Sequence, residues 1–243
     1  MQLTSLLRRA GLWTRFPTAP VRDTSPSPRP VDRAAADPLG RRRAGRTDAP
    51  WPVLLGPERA PAIQVDGTTC GAAVLVLLAA DGDPAVAAWL DAGTGRFDAL
   101  QRAVQRRTTR TALLGLPWPR ALGTPPWAAA RTARWGAVRY GHRVVDDTDP
   151  ADLARVRAAV DAALARGILV PLYTGGDTAG GVGAAVPRHV VLALPGGPDG
   201  VHLVYEPGSG AVHAVPRAAL WAAERPLDAL GRWTHVVWAL LPR

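Results

Sequence analysis

The sequence predicts an α+β domain over residues 51–243, in which an N-terminal helical part packs against a mostly antiparallel sheet. Three observations predict it. Helix signals between residues 70 and 107 precede a second half rich in strand-like runs. Two apolar runs of equal length, His189 to Leu194 and Val201 to Glu206, flank the turn-forming Pro195-Gly-Gly-Pro-Asp-Gly200 and read as a hairpin. The longest apolar run, Ala72 to Ala80, is far shorter than the roughly 20 residues that span a bilayer.

Residues 1–50 read as a disordered Arg/Pro-rich tail, since Pro20, Pro26, Pro28, Pro30 and Pro38 lie among charges with no apolar period. Its first part carries Leu3, Leu6, Leu7, Leu12, Trp13 and Phe16, a short amphipathic stretch. Arginines 8, 9 and 15 break any signal-peptide core there. As a helix, its Arg-rich side would make weak contact with a membrane surface or a partner. A helix begins at Cys70, a second runs from Asp83-Pro84 to Leu90, and a third covers Arg96 to Arg107 with Phe97, Leu100 and Val104 on one face. Thr109 to Trp135 holds Pro117-Trp118-Pro119, Pro125-Pro126-Trp127 and the helix-like Ala128 to Arg134; its tryptophans read as core and wall, with Trp118 and Trp127 candidates to border a cleft. Tyr140 to Val145 is a strand. Asp149 as N-cap, Pro150 at the first helical position and a closing Gly167 define helix Pro150 to Arg166. Ile168 to Tyr173 is a buried strand, and the Gly-rich Thr174 to Val186 is a loop suited to be a lid or substrate rim. Val212 to Val215, a helix Pro216 to Glu224 and the strand Val236 to Leu241 complete the order.

Charge excludes some functions. The net charge is +9 and all 29 basic residues are arginine, a bias that argues against arginine having been selected for phosphate recognition. Residues 1–50 hold ten arginines and four acids, a net of +6, which leaves +3 on residues 51–243. A nucleic-acid-binding domain is not indicated. Arg41-Arg42-Arg43 reads as a solvated charge run. The Gly-rich loop lacks the Gly-Lys-Ser/Thr ending of a phosphate loop, and His and Asp spacings match no metal site, so no cofactor is expected. With a single cysteine no intramolecular disulfide can form, and cytoplasmic residence is the default.

That cysteine, Cys70, follows Gln64-Val-Asp-Gly-Thr-Thr and opens the apolar helix. A lone cysteine is ordinarily a small buried residue. At the first turn of a helix, however, the positive end of the dipole and unpaired N–H groups favour thiolate, the nucleophilic form. Such a nucleophile needs a base and a group that orients the base. His142, His202, His213 and His235 have no evident orienting group, whereas His189 opens the first hairpin strand and Glu206 closes the second. If Leu194 faces Val201, then His189 faces Glu206 directly, with Cβ atoms roughly 5 Å apart. Val190, Leu192 and Leu194 would then share a core face with Val201, Leu203 and Tyr205, and a slip of one residue would part histidine from carboxylate.

With these residues the chain resembles the papain-like cysteine peptidases, particularly the bacterial branch that includes the double-glycine leader peptidases of bacteriocin exporters. Four signatures carry the resemblance: Gln64 six residues before the nucleophile, Cys70-Gly71 opening the central helix, His189-Val-Val-Leu starting a core strand, and Tyr205-Glu206-Pro207 before the turn Gly208-Ser-Gly210. The resemblance implies that Cys70 attacks a carbonyl carbon, that His189 acts as base and then acid, that Glu206 holds the imidazole, and that the Gln64 amide and Cys70 N–H bind the oxyanion. It implies a peptide or protein substrate. Glu206 departs from the usual Asp or Asn, and its extra methylene requires a changed backbone or rotamer. Acyl transfer, deamidation and a non-catalytic binding role, all found among relatives of this superfamily, stay open beside hydrolysis.

Overall fold

The computed structural model describes residue 39 and residues 49–113, 115–146, 149–176, 189–222 and 224–243. Three short strands come first: β1 (Trp51–Pro52), β2 (Leu54–Leu55) and β3 (Ala60–Pro61). The apolar run then folds as α1 (Cys70–Gly82), buried at eleven of its thirteen residues. A helix apolar all round can lie only inside a fold, and α1 packs against its neighbours α2 (Pro84–Asp91) and α3 (Arg96–Thr109) and against the sheet. Asp83 caps α2 by accepting from Ala85 N, as the Asp-Pro pair implied.

The remaining elements are α4 (Pro126–Thr132), β4 (Arg134–Trp135), β5 (Val138–Val144), α5 (Pro150–Ala165), β6 (Val170–Gly175), β7 (His189–Leu194), β8 (Val201–Glu206), β9 (Ala211–Pro216), α6 (Arg217–Ala222) and β10 (His235–Pro242). Among the described residues, eight strands form one sheet in the order β1-β9-β8-β7-β6-β10-β5-β4, and every pair in it is antiparallel. The α+β class with a mostly antiparallel sheet is therefore present. Strand β10 enters between β5 and β6, with a register shift between Val236 and Trp238. Helices cover both faces. Helix α1 lies on the face of Val190, where its Gly71 approaches the Val190 side chain, and α5 lies on the other, where Asp161 meets His202.

The hairpin differs from the expected register by two residues. Leu194 pairs with Leu203, not Val201, and Leu192 pairs with Tyr205. The cause is in the loop, where Val201 N donates to Pro198 O (3.0 Å) and folds the turn back on itself, so that pairing starts later. Gly197 permits this, since a Cβ there would lie 2.5 Å from Val201 O. An even offset preserves side-chain parity, and the two expected faces survive.

Three other expectations change. Leu39, assigned to a disordered tail over residues 1–50, is fully buried (0% exposed) and its carbonyl accepts from Trp51 Nε1, because an indole donor inside the core needs a partner. The rest of that tail, with its amphipathic stretch and Arg41-Arg42-Arg43, lies outside the described residues apart from Ala49 and Pro50. On α3 the buried positions are Phe97, Gln101, Gln105, Thr108 and Thr109, while Leu100 and Val104 are only half-buried. The helix is rotated so that a polar strip faces inward. Finally, Thr174 belongs to β6 and not to the loop, and residues 177–188 of the expected lid lie outside the described residues.

Gly82 ends α1 against the β4 turn, where an added Cβ would stand 2.5 Å from Gly136 N and 2.7 Å from Trp135 Cα. Backbone cannot yield as a side chain does, so Gly82→Ala is expected to cost about 1–3 kcal/mol. Urea unfolding would show it as a lower midpoint at unchanged slope.

Candidate active site

Cys70 is the first residue of α1, and the local sequence leaves that helix end unusually open. Thr69 stands at the N-cap position, but its hydroxyl is turned back to Asp66, donating to Asp66 O and accepting from Asp66 N, and makes no cap to the helix. No acidic residue occupies the first turn. The first N–H groups and the positive dipole end therefore remain uncompensated by side chains beside the thiol. Gly71 is required by packing, for a Cβ there would come 2.8 Å from Thr124 Cβ.

His189, at the start of β7, and Glu206, at the end of β8, are brought together as expected, by a different route. Their Nε2–Oε1 distance is 2.7 Å. In the observed register they are diagonal neighbours, a separation of about 7–8 Å between backbones that long side chains can span. The extra methylene of glutamate, which a direct pairing would have had to accommodate, supplies reach here. Glu206 accepts twice more, Gly208 N on Oε1 (2.6 Å) and Ser209 N on Oε2 (2.7 Å).

Cys70 lies close enough to His189 to act on the titration of its ring. Because Nε2 is engaged by Glu206, Nδ1 is the ring nitrogen left for the thiol. Burial by itself would lower the imidazole's pKa, but the neighbouring Cys70 and the bond to Glu206 outweigh it and raise the value to about 9. For Glu206, burial would raise the pKa, while bonds from His189, Gly208 and Ser209 pull it down to about 2. An imidazolium–carboxylate pair thus stands beside Cys70 at neutral pH.

The thiol is covered, at 3% exposure. Tyr173 and Tyr205 lie near it, fully buried with their phenols pushed well up by burial first, and their hydroxyls donate to Thr124 O and Ala62 O. Gln64 is brought to the same neighbourhood, its N–H donating to Pro207 O (2.8 Å) immediately after Glu206. Its side chain does not reach the thiol: Nε2 donates to Asp66 O (2.8 Å), and Oε1 is buried without a partner. A groove of about 530 Å³ is lined by Gln64, Val65, Ile63, Phe97 and Arg102, but by neither Cys70 nor His189. Trp118 and Trp127 do not border it; they pack edge to face on each other (5.3 Å).

One wall of the imidazole comes from a residue that sequence reasoning missed. Gly231, with φ of +65°, follows a short 3-10 turn (Asp228–Leu230), and a Cβ on it would lie 2.4 Å from His189 Cδ2. Thr174, paired with His189 in the β6–β7 ladder, donates to Leu230 O (3.0 Å) and pins that turn. The only local signal was a glycine after Asp-Ala-Leu. The expectation that His202 lacks an orienting group is also corrected, since Asp161 of α5 lies 3.1 Å from its Nε2. Among the described residues no cluster of three His, Cys, Asp or Glu could hold a metal ion, and no helix is long and apolar enough to cross a membrane. Comparison with protein-family models and with curated proteins gave no match to the chain.

The pair's effect on stability has a definite sign. Glu206 contributes above its ordinary value of 4.5 and loses this as pH falls toward 2; His189 contributes fully below 6.5 and loses this as pH rises through about 9. Unfolding free energy should therefore decline between pH 6.5 and 9 more steeply in the native chain than in His189→Ala, as urea titrations at several pH values would reveal. Gly231→Ala should push the ring away from its partners and move the His189 NMR titration midpoint from about 9 down toward 6.5.

Proposed function

We propose that this chain is a papain-like cysteine hydrolase, a peptidase or amidase that cleaves an amide bond of a peptide or protein through an acyl-enzyme on Cys70. The observation that carries this reading is His189 hydrogen-bonded to Glu206, with Cys70 near enough to the ring to raise its pKa. A nucleophile, a base and an orienter drawn from α1, β7 and β8 are the three parts that nucleophilic catalysis calls for.

In the reaction, the Cys70 sulfur, as the thiolate whose proton rests on His189, adds to the amide carbonyl and its π electrons move onto oxygen. Cys70 N–H, at the open end of α1, and the Gln64 amide after turning from Asp66 O, would bind that oxyanion. Collapse breaks the C–N bond, and the leaving nitrogen takes its proton from the His189 imidazolium. Water, deprotonated by His189, then adds to the thioester; the carboxylic acid leaves and the thiol is restored. Glu206 keeps its charge throughout and holds the ring. A free thiol suits a reducing compartment, in keeping with cytoplasmic residence.

A second reading, a non-catalytic binding domain, is favoured by the covered thiol and by a groove that touches Gln64 but not Cys70. Alkylation and digestion separate the two. For the hydrolase, iodoacetamide labels Cys70 faster than a model thiol, and His189→Ala slows this by about 10²-fold. A peptide library then yields new termini by mass spectrometry with the native chain and none with Cys70→Ser. Labelling no faster than a free thiol, with peptides captured and returned intact, would sink the hydrolase and support the binding domain.

A further inference from the structure

Helix α3 buries two glutamines one turn apart where apolar residues would pack at lower cost. Gln101, 0% exposed, accepts from Val65 N through Oε1 (3.2 Å) and donates from Nε2 to Ile63 O (3.1 Å). Its amide thus bridges the two peptide groups that flank Gln64, as a neighbouring strand would. Gln105 donates from Nε2 to Thr68 Oγ1 (2.7 Å) and Thr68 O (3.2 Å), and Thr68 Oγ1 passes a hydrogen bond on to Asp66 Oδ1 (2.7 Å). Asp66 O in turn receives Gln64 Nε2. From the opposite side Pro207 O takes Gln64 N–H. Residue 64 is therefore held between α3 and the turn that carries Glu206.

Resting on the hydrolase reading above, we infer that Gln101 and Gln105 are positioning residues that set Gln64 for the oxyanion formed at Cys70. Their amides leave no freedom of register to the loop Ile63 to Thr69, which ends at the nucleophile. Gln64 Oε1 is buried without a donor while Nε2 rests on Asp66 O, so the side chain is held with its bonding incomplete and has to turn only from Asp66 O to meet the oxyanion. A displacement of about 1 Å in such a group can cost about 10²-fold in rate.

Two reagents on the full chain test this. Acetylation of Cys70 by p-nitrophenyl acetate passes through a tetrahedral oxyanion: the C–S bond forms, the C–O bond breaks, and p-nitrophenolate leaves with the electron pair. Alkylation by iodoacetamide displaces iodide at carbon and forms no oxyanion. Gln101→Leu is expected to slow acetylation by about 10²-fold while alkylation stays within about twofold. Gln64→Ala should do the same, and Gln64→Ala/Gln101→Leu should be no slower than either, because one acts through the other. Unchanged acetylation in Gln101→Leu, equal slowing of both reactions, or losses that multiply in the double variant would overturn the inference alone. Should Gln101→Leu fail to fold, Gln105→Leu, which spares both Gln101 bonds, must slow acetylation selectively, and an unaffected rate overturns the inference. A native chain acetylated no faster than a free thiol overturns the hydrolase reading and this inference together.

Discussion

A carboxylate held almost without water organises this molecule. Glu206 ends β8 inside the fold, and an anion there persists only if its oxygens are satisfied. The turn after it supplies Gly208 N and Ser209 N, and the strand beside it supplies His189. Gly208 can approach because it lacks a side chain, a Cβ there being 2.9 Å from Oε1. The same turn takes Gln64 N–H on Pro207 O and Val53 N–H on Gly210 O. Satisfying one buried charge thus ties the N-terminal strands, the Gln64 loop and the hairpin into one assembly, with the thiol at its edge.

The sequence made the meeting of His189 and Glu206 legible but not the exact pairing. Equal apolar runs around a turn define which residues share a face, since parity survives any even slip; they do not count how many residues the turn consumes. Pro195 to Gly200 holds five prolines and glycines, and it curled into Val201. Histidine and acid still met because a glutamate side chain is long enough for a diagonal. An aspartate in this register would fall short, which gives a physical reason for the departure that stood out in the sequence.

What stayed hidden depends on contacts distant in the chain. Apolar periodicity put Phe97, Leu100 and Val104 inward on α3, yet a loop whose peptide groups face that helix drew Gln101 and Gln105 inward beside Phe97 and left Leu100 and Val104 half-buried. Polar residues on a helix read as solvated unless their partner is known. The same holds for Asp161 beside His202, and for Leu39, whose carbonyl meets the Trp51 indole. In each case a donor or acceptor inside the fold set the outcome, and hydropathy carries no record of it. Gly231 belongs with them: its role against the imidazole is a matter of absent volume, visible only once the ring has a location.

Strand β10 lies between β5 and β6, although α5 and the β6–β9 meander separate it in sequence from β5. During vectorial synthesis β6 therefore waits with one edge unpaired until the segment His235–Pro242 has emerged from the ribosome. Closure of long loops in this manner slows folding and leaves apolar strand edges open to misassociation. A nascent chain would thus hold Cys70 apart from a completed sheet until His235–Pro242 has emerged, because only then does β10 close the gap between β5 and β6.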